Sequence, residues 1–357
     1  MFKYIVTILF KHMDTRHDEY KDKGLTGLAN VGNSCYINSC MQLLSHTYEL
    51  NNLLSSLDSK KINKNIEATI LIEWNNLREL MWSENCTIAP WGFINAIREV
   101  AKQKDINIFS GYAQNDVSEF LLFIVDCLHC GLKREVEMTI SGIVQNDTDS
   151  LAQECYKMMQ EMYKREYSEI LNIFYGISVT QIKSKDTNEI LSRTCEPFSI
   201  LSLPIPAKSA VTLFECLDLY KVEEELCGEN AWFNDKTKSK QDVKKGTIFW
   251  NLPAVLIIDL KRYNNNNRKI HSLVTAQLQD LDLSQYVEGY NSSKYIYDLF
   301  GIGNHSGGVM GGHYTANIRN PNGKWYSFND TTITEISEDK IISPYTYCLF
   351  YRKKNKV

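Results

Sequence analysis

The chain has 357 residues, 43% of them hydrophobic and 11% aromatic, with 39 Lys and Arg against 43 Asp and Glu, a formal net charge of −4. That length allows one large domain or two ordinary ones with a substantial core. The slight acidity argues against a nucleic-acid binder held by phosphate contacts and leaves room for a basic protein partner. Ten cysteines stand singly apart from Cys127 and Cys130, so no disulfide framework is evident and a reducing compartment, cytoplasmic or nuclear, is expected. The apolar run Tyr4–Phe10 is short of the ~20 residues of a membrane span. It has no small-residue cleavage site after it, and is read as a strand or helical turn packed on the body. Residues 1–23 read as an extension.

The stretch Gly27–His46 (GLANVGNSCYINSCMQLLSH) predicts a helix behind Cys35, with Asn33 or Ser34 as its cap. A thiol in a first helical turn feels the positive end of the dipole, so its pKa is expected to fall. The surrounding glycines and amides are a poor way to build a core and a sensible way to admit a substrate backbone. From Tyr48 to Val100 apolar residues recur at helical spacing, including Leu50, Leu53, Leu54 and Leu57, then Ile70, Trp74, Leu77, Leu80 and Met81, and a helix restarts after Pro90. In Phe109–Cys130, residues Val117, Phe120, Leu121, Ile124, Val125 and Leu128 make one buried face behind a polar start at Gln114, Asp116 and Glu119. Cys127 and Cys130 spell a CxxC inside this helix with no second pair anywhere, which points to packing rather than to a four-ligand zinc site.

Residues 131–175 read as a charged, helical connector. Beyond Phe174 the pattern changes to short strands, with a short helix at LFECLDLYKVEEEL. LPAVLIIDLKRY (Leu252–Tyr263) is a central strand, followed by Asn264–Asn267, a low-complexity tract read as a mobile hairpin loop. Tyr295–Ile318 reads as strand, glycine-rich loop, strand, with His313 directly after Gly311 and Gly312. A Pro-Asn-Gly turn then returns the strand KWYSFND, which brings Asn329 and Asp330 beside His313. A basic imidazole needs a partner to fix its tautomer, and an asparagine carbonyl accepting the Nδ1 proton supplies it.

The stretch from Gly27 resembles the cysteine box of the ubiquitin-specific proteases, close to GLxNLGNTCYxNS, matching at Gly27, Leu28, Asn30, Gly32, Asn33, Cys35, Tyr36, Asn38 and Ser39. The resemblance implies Cys35 as nucleophile and Asn30 as the oxyanion donor, a role any tetrahedral intermediate requires. Gln114 to Leu121 resembles the second box, QQDAxEFL. Ubiquitin ends in Leu-Arg-Gly-Gly, so Asp116 and Glu119 are candidates to hold its arginines, or they merely favour the helix start. Gly311 to Asp330 resembles the histidine box, GGHYxAYxRxxxxxWYxFNDxxV, which implies Asn329 as third triad member, with Asp330 the other candidate. Gln114, Gly312 and Tyr314 join the candidates for tail binding.

The family's fingers often carry two zinc-binding CxxC pairs. The corresponding positions here are Ser184 and Thr187, then Asn234 and Thr237, so no structural zinc, and no cofactor, is expected. Together these features imply an α+β, papain-like protease domain over 24–352: a helical thumb (about 24–170), β fingers (about 171–250) and a β-rich palm (about 251–352), with 353–357 as a tail. The implied activity is thiol-dependent hydrolysis after the last glycine of ubiquitin on ubiquitinated proteins, with no nucleic-acid or membrane partner. A catalytically inactive ubiquitin-binding module, or a protease for another ubiquitin-like modifier, are the alternatives.

Overall fold

Apolar residues spaced three and four apart make the first part of the chain helical. The structure, a computed structural model, describes residues 3–6, 17–109, 111, 113–309 and 311–354. Its helices are α1 (Cys35–Ser45), α2 (Tyr48–Ser55), α3 (Glu67–Ser83), α4 (Trp91–Gln103), α5 (Val117–Leu132), α6 (Asp147–Tyr163), α7 (Glu169–Phe174) and α8 (Leu213–Lys221). The whole α5 face read from the sequence is buried. On α3, Ile70, Trp74, Leu77 and Met81 are buried but Leu80, read on the same stripe, is 54% exposed. It lies one position off the inward face that Leu77 and Met81 define.

The helices lie against a large sheet. From one edge its strands run Thr332–Ile336, Trp325–Asn329, Gly311–Arg319, Ile296–Gly308, Thr346–Lys353, Val255–Leu260 and Ile200–Leu203, with Leu281–Asp282 paired beside Ile296–Gly308. Neighbours are antiparallel except Val255–Leu260 and Ile200–Leu203, which run parallel. All six residues of VLIIDL are buried, as expected of a strand covered on both faces. Val255 and Ile257 pack with α1, α3, α4 and α5, while Leu256, Ile258 and Leu260 pack on the far side with α8 and Leu281–Val287. The strand Thr346–Lys353 thus lies inside the sheet, and Arg352 ties it back to α2 by a bidentate pair with Glu49 at 2.7 and 3.3 Å.

A second, four-stranded sheet is built from Ile190–Phe198, Gly176–Ser184, Val243–Asn251 and Glu224–Leu226, all antiparallel. Its apolar side, with Ile177, Val179 and Trp250, packs on α6. The 131–175 connector is therefore not helical throughout: Met138–Ser141 is a strand, paired antiparallel with Lys3–Val6. The remainder of the Tyr4–Phe10 run lies outside the described residues.

Two loops are closed by their own side chains. The Asn264–Asn267 tract is a hydrogen-bonded turn. Asn264 folds it into a turn, its side-chain carbonyl accepting from the N–H groups of Asn266 and Arg268, both at 3.0 Å. Lys269 then fastens the turn to the neighbouring strand, donating to the carbonyls of His305 (2.8 Å) and Gly307 (3.0 Å). At the far end of the second sheet, Asn234 donates to Gln241 at 2.9 Å and accepts from the Lys236 N–H, and Thr237 bonds Ser239 at 2.8 Å. These hydroxyls and amides close a hairpin, and no cluster of three or more metal-ligating side chains occurs among the described residues.

Candidate active site

Cys35 opens α1 at the seam between the helices and the large sheet. The approach to it is folded around one carbonyl: the Asn30 side-chain oxygen accepts from the N–H groups of Gly32 (3.3 Å) and Ser34 (3.1 Å). That wrap needs left-handed backbone at Gly32 (φ +106°) and Asn33 (φ +52°), which a glycine and an asparagine tolerate. Ser34 is the residue ahead of the helix and makes no side-chain cap, so the first N–H groups of α1 keep their donor capacity. The Asn30 amide nitrogen faces the other way and donates to Asp330 Oδ2 at 3.1 Å. Asn38, one turn into α1, donates to the other oxygen of Asp330 at 2.8 Å and to the carbonyls of Leu28 and Ala29.

The Cys35 thiol is 1% exposed. Burial pushes its pKa up, and the negative charge of Asp330 adds to that, while the backbone N–H groups of Tyr314, Tyr36 and Cys35 itself pull the other way. The expected lowering by the helix start is thus present but outweighed by desolvation. A thiol in this position depends on a base to become a nucleophile.

His313 and Asn329 lie on neighbouring strands whose register pairs Ala316 with Phe328. Extending that register sets Asn329 across from Thr315, on the face that His313 shares, one diagonal step away. The imidazole spans the step with its far nitrogen, and His313 Nε2 lies 2.6 Å from Asn329 Oδ1. The nitrogen that meets the asparagine is therefore Nε2, not Nδ1 as the sequence reading had it, and Nδ1 is left for a second partner. Asp330 turns away in left-handed backbone (φ +50°) to serve Asn30 and Asn38, and its carbonyl accepts from the Leu28 N–H at 2.9 Å. The two candidate partners of His313 thus have separate positions: Asn329 on the imidazole, Asp330 on the amides near Cys35. The role of Asn38 is not evident from its match to the cysteine box alone; its spacing of three from Cys35, which sets both on one side of α1, is the sequence signal for it.

The remaining candidates divide. Gln114 reaches across to the histidine loop, its amide donating to the Gly312 carbonyl (2.6 Å) and accepting from the Gly312 N–H (2.7 Å), with its nitrogen 3.9 Å from Cys35 Sγ. Asp116 caps α5, one oxygen accepting from the N–H groups of Ser118 and Glu119 and the other from the Tyr347 hydroxyl. Both its oxygens are engaged, unlike the open carboxylate expected for an arginine. Glu119 is exposed. The Tyr314 ring is buried and stacked on His305 at 4.4 Å, so what Tyr314 offers the site is its backbone. Cys127 is buried in α5, and burial pushes the pKa of Cys130 up to about 11, the behaviour of packed thiols.

A helical layer carrying a cysteine at a helix start, against an antiparallel sheet carrying a histidine, is the α+β layout of the papain-like fold. The family model described as ubiquitin carboxyl-terminal hydrolase matches residues 26–351, and the chain belongs to that family, as ubiquitin-specific proteases do. It is 33% identical over 350 residues to Ubiquitin carboxyl-terminal hydrolase Usp2 of Drosophila melanogaster, covering 96% of this chain and 36% of that protein. It is 32% identical over 340 residues to Ubiquitin carboxyl-terminal hydrolase 2 of Homo sapiens, covering 92% and 55%. The chain therefore spans about a third to just over half of the length of these relatives. Among solved structures, the SAGA Ubp8/Sgf11/Sus1/Sgf73 DUB module bound to ubiquitin aldehyde superposes with a TM-score of 0.70 at 23% identity, over 95% of this chain and 71% of that one. The likeness in that case is one of fold.

Proposed function

We propose that this chain is a thiol-dependent deubiquitinase that cleaves the peptide or isopeptide bond after the last glycine of ubiquitin. The observation that carries the reading is the 2.6 Å contact of His313 Nε2 with Asn329, on a strand whose next residue, Tyr314, turns its N–H to the Cys35 thiol. With Nε2 engaged, Nδ1 of His313 draws the proton from Cys35. The thiolate attacks the glycine carbonyl, and the imidazolium then protonates the departing lysine amine. Water, activated by the same imidazole, releases the acyl-enzyme.

The oxyanion that forms at each attack is received by the Asn30 amide, whose second hydrogen is free once the first is held by Asp330, together with the uncapped N–H groups at the start of α1. Asp330 is a positioning residue: it fixes Asn30 and, through Asn38, the helix that carries the nucleophile. Gln114 and Gly312 complement each other's peptide-like groups, and the same groups are offered to the diglycine tail when it enters. Glu119 is the carboxylate open to an arginine of that tail. The helices α1–α5 form the thumb, the large sheet the palm and the four-stranded sheet the fingers, the palm taking one strand, Ile200–Leu203, from the range expected for the fingers, and the work is done in a reducing compartment.

Two measurements test this. The chain should hydrolyse a fluorogenic amide of ubiquitin's C-terminus, and a ubiquitin vinyl-type electrophile should form an adduct that maps to Cys35. Binding of ubiquitin without turnover or adduct would make the chain an inactive binding module, and labelling only by a different modifier's probe would reassign its substrate.

A further inference from the structure

Away from the seam, two thiols meet where α6 packs on the four-stranded sheet. Cys155 is buried on α6 and Cys195 is half-buried on the strand Ile190–Phe198, opposite Val179, and their sulfur atoms are 3.6 Å apart. Neither belongs to the site described above, and both are free thiols. Arg193, two residues before Cys195 and so on the same face of the strand, reaches over α6 to Glu154 Oε1 at 3.1 Å and Ser150 Oγ at 3.4 Å. A guanidinium, its side chain largely covered, therefore lies near the pair.

We propose that Cys155 and Cys195 form a redox-active dithiol, which a peroxide or a small-molecule disulfide converts to a disulfide joining α6 to the four-stranded sheet. Three observations support it. The sulfurs are already in van der Waals contact, so bond formation to ~2.05 Å asks for an approach of about 1.5 Å. The two thiols differ in access: Cys195 reaches solvent and Cys155 does not, which gives one attacking and one resolving position. The hydrogen bond between them holds the Cys195 thiol down, helped by Arg193 and opposed by burial and the charge of Glu154, and pushes Cys155 up, in keeping with those two tasks.

With a peroxide the steps balance. The Cys195 thiolate attacks one peroxide oxygen and the O–O bond breaks, leaving Cys195 as sulfenic acid and, after protonation, one water. The Cys155 sulfur then attacks the sulfenic sulfur, its S–H proton leaves with the displaced hydroxide as a second water, and the S–S bond forms. Two thiols are oxidised and one peroxide is reduced to two waters. The product ties residues 40 apart and makes α6 and the sheet one covalent unit. The proposal is independent of the deubiquitinase reading.

The test uses the full chain with Cys35→Ala, so that the candidate nucleophile does not compete for oxidant. Reduced protein exposed to hydrogen peroxide should lose two titratable thiols and about 2 Da in mass, with a dithiothreitol-reversible cross-link between the peptides holding Cys155 and Cys195. Hydrogen exchange of the α6 amides should slow in the oxidised form. In Cys155→Ser the cross-link should vanish and Cys195 should accumulate as the sulfenic or over-oxidised acid; in Cys195→Ser, Cys155 should remain a thiol. A cross-link to any other cysteine, oxidation of both residues without a cross-link, or survival of both thiols while the half-buried Cys86, Cys130 or Cys227 reacts would each overturn the proposal. The mapping on the parent chain decides the matter even where a serine variant fails to fold.

Discussion

The seam that carries Cys35 and the four-stranded sheet that carries Cys195 are held together in different ways. At the seam the contacts are side-chain amides and carboxylates joining distant parts of the sequence: Asn38 to Asp330, Asn30 to Asp330, Gln114 to Gly312, Ser118 to Asp259. The second sheet relies on strand pairing, one apolar face, and ion pairs at its edges such as Lys183–Glu223 at 2.7 Å and Lys185–Glu225 at 2.8 Å. A network of single bonds between fixed positions defines geometry and tolerates little change. A ladder with solvated ion pairs defines shape and forgives substitution.

The sharpest break in this contrast is at the nucleophile. Cys35→Ala should lower turnover of a ubiquitin C-terminal amide by ~10⁴-fold or more while leaving ubiquitin binding intact, read by steady-state kinetics beside calorimetry. Next comes Asp330→Ala, which frees Asn30 and Asn38 together. Here kcat should fall ~10²–10³-fold with KM little changed, and adding Asn30→Ala should cost much less than the product of the single effects, since both act on one donor. A loss confined to KM would remove Asp330 from the oxyanion side.

The third effect is on stability and carries a pH sign. Asp259, under α5 and bonded to Ser118, has its pKa pushed up to about 6 by burial and by the charge of Asp116. A carboxyl whose folded pKa exceeds its unfolded ~3.9 binds its proton more tightly when folded, so its share of stability falls as pH rises from ~4 to ~6 and stays lost above that. Asp259→Asn should remove that slope and raise stability at pH 7.5 by up to ~3 kcal/mol relative to the parent, measured by denaturant unfolding across pH 4.5–7.5. A variant less stable at pH 7.5 would show that the charged form is the one the seam prefers. The smallest effect belongs to the second sheet: Lys183→Ala should leave Tm within about 2 °C and turnover unaltered.

What could be read in advance follows the range of the interactions. The helix behind Cys35, the buried face of α5, the strand VLIIDL and the hairpin returning Asn329 to His313 all rest on period and turn residues, which are local. The errors came from contacts that bridge the chain. The engagement of both Asp116 oxygens needs Tyr347, 231 residues away, and the Asp330 carboxylate is claimed by Asn38, 292 residues away. The rise in the Cys35 pKa depends on what covers the thiol, a matter of packing rather than of its place on a helix. The choice of Nε2 over Nδ1 rests on a diagonal register that spacing alone does not give.

The order in which the sheet is made has its own consequence. Thr346–Lys353 is an inner strand, between Ile296–Gly308 and Val255–Leu260, so every strand it joins leaves the ribosome before it does. Until residue 353 is out, Ile296–Gly308 and Val255–Leu260 have no strand between them, and the sheet stays in two halves. The strand order thus makes the sheet that carries His313 one of the last parts of the domain to be joined up, by a single late β-strand.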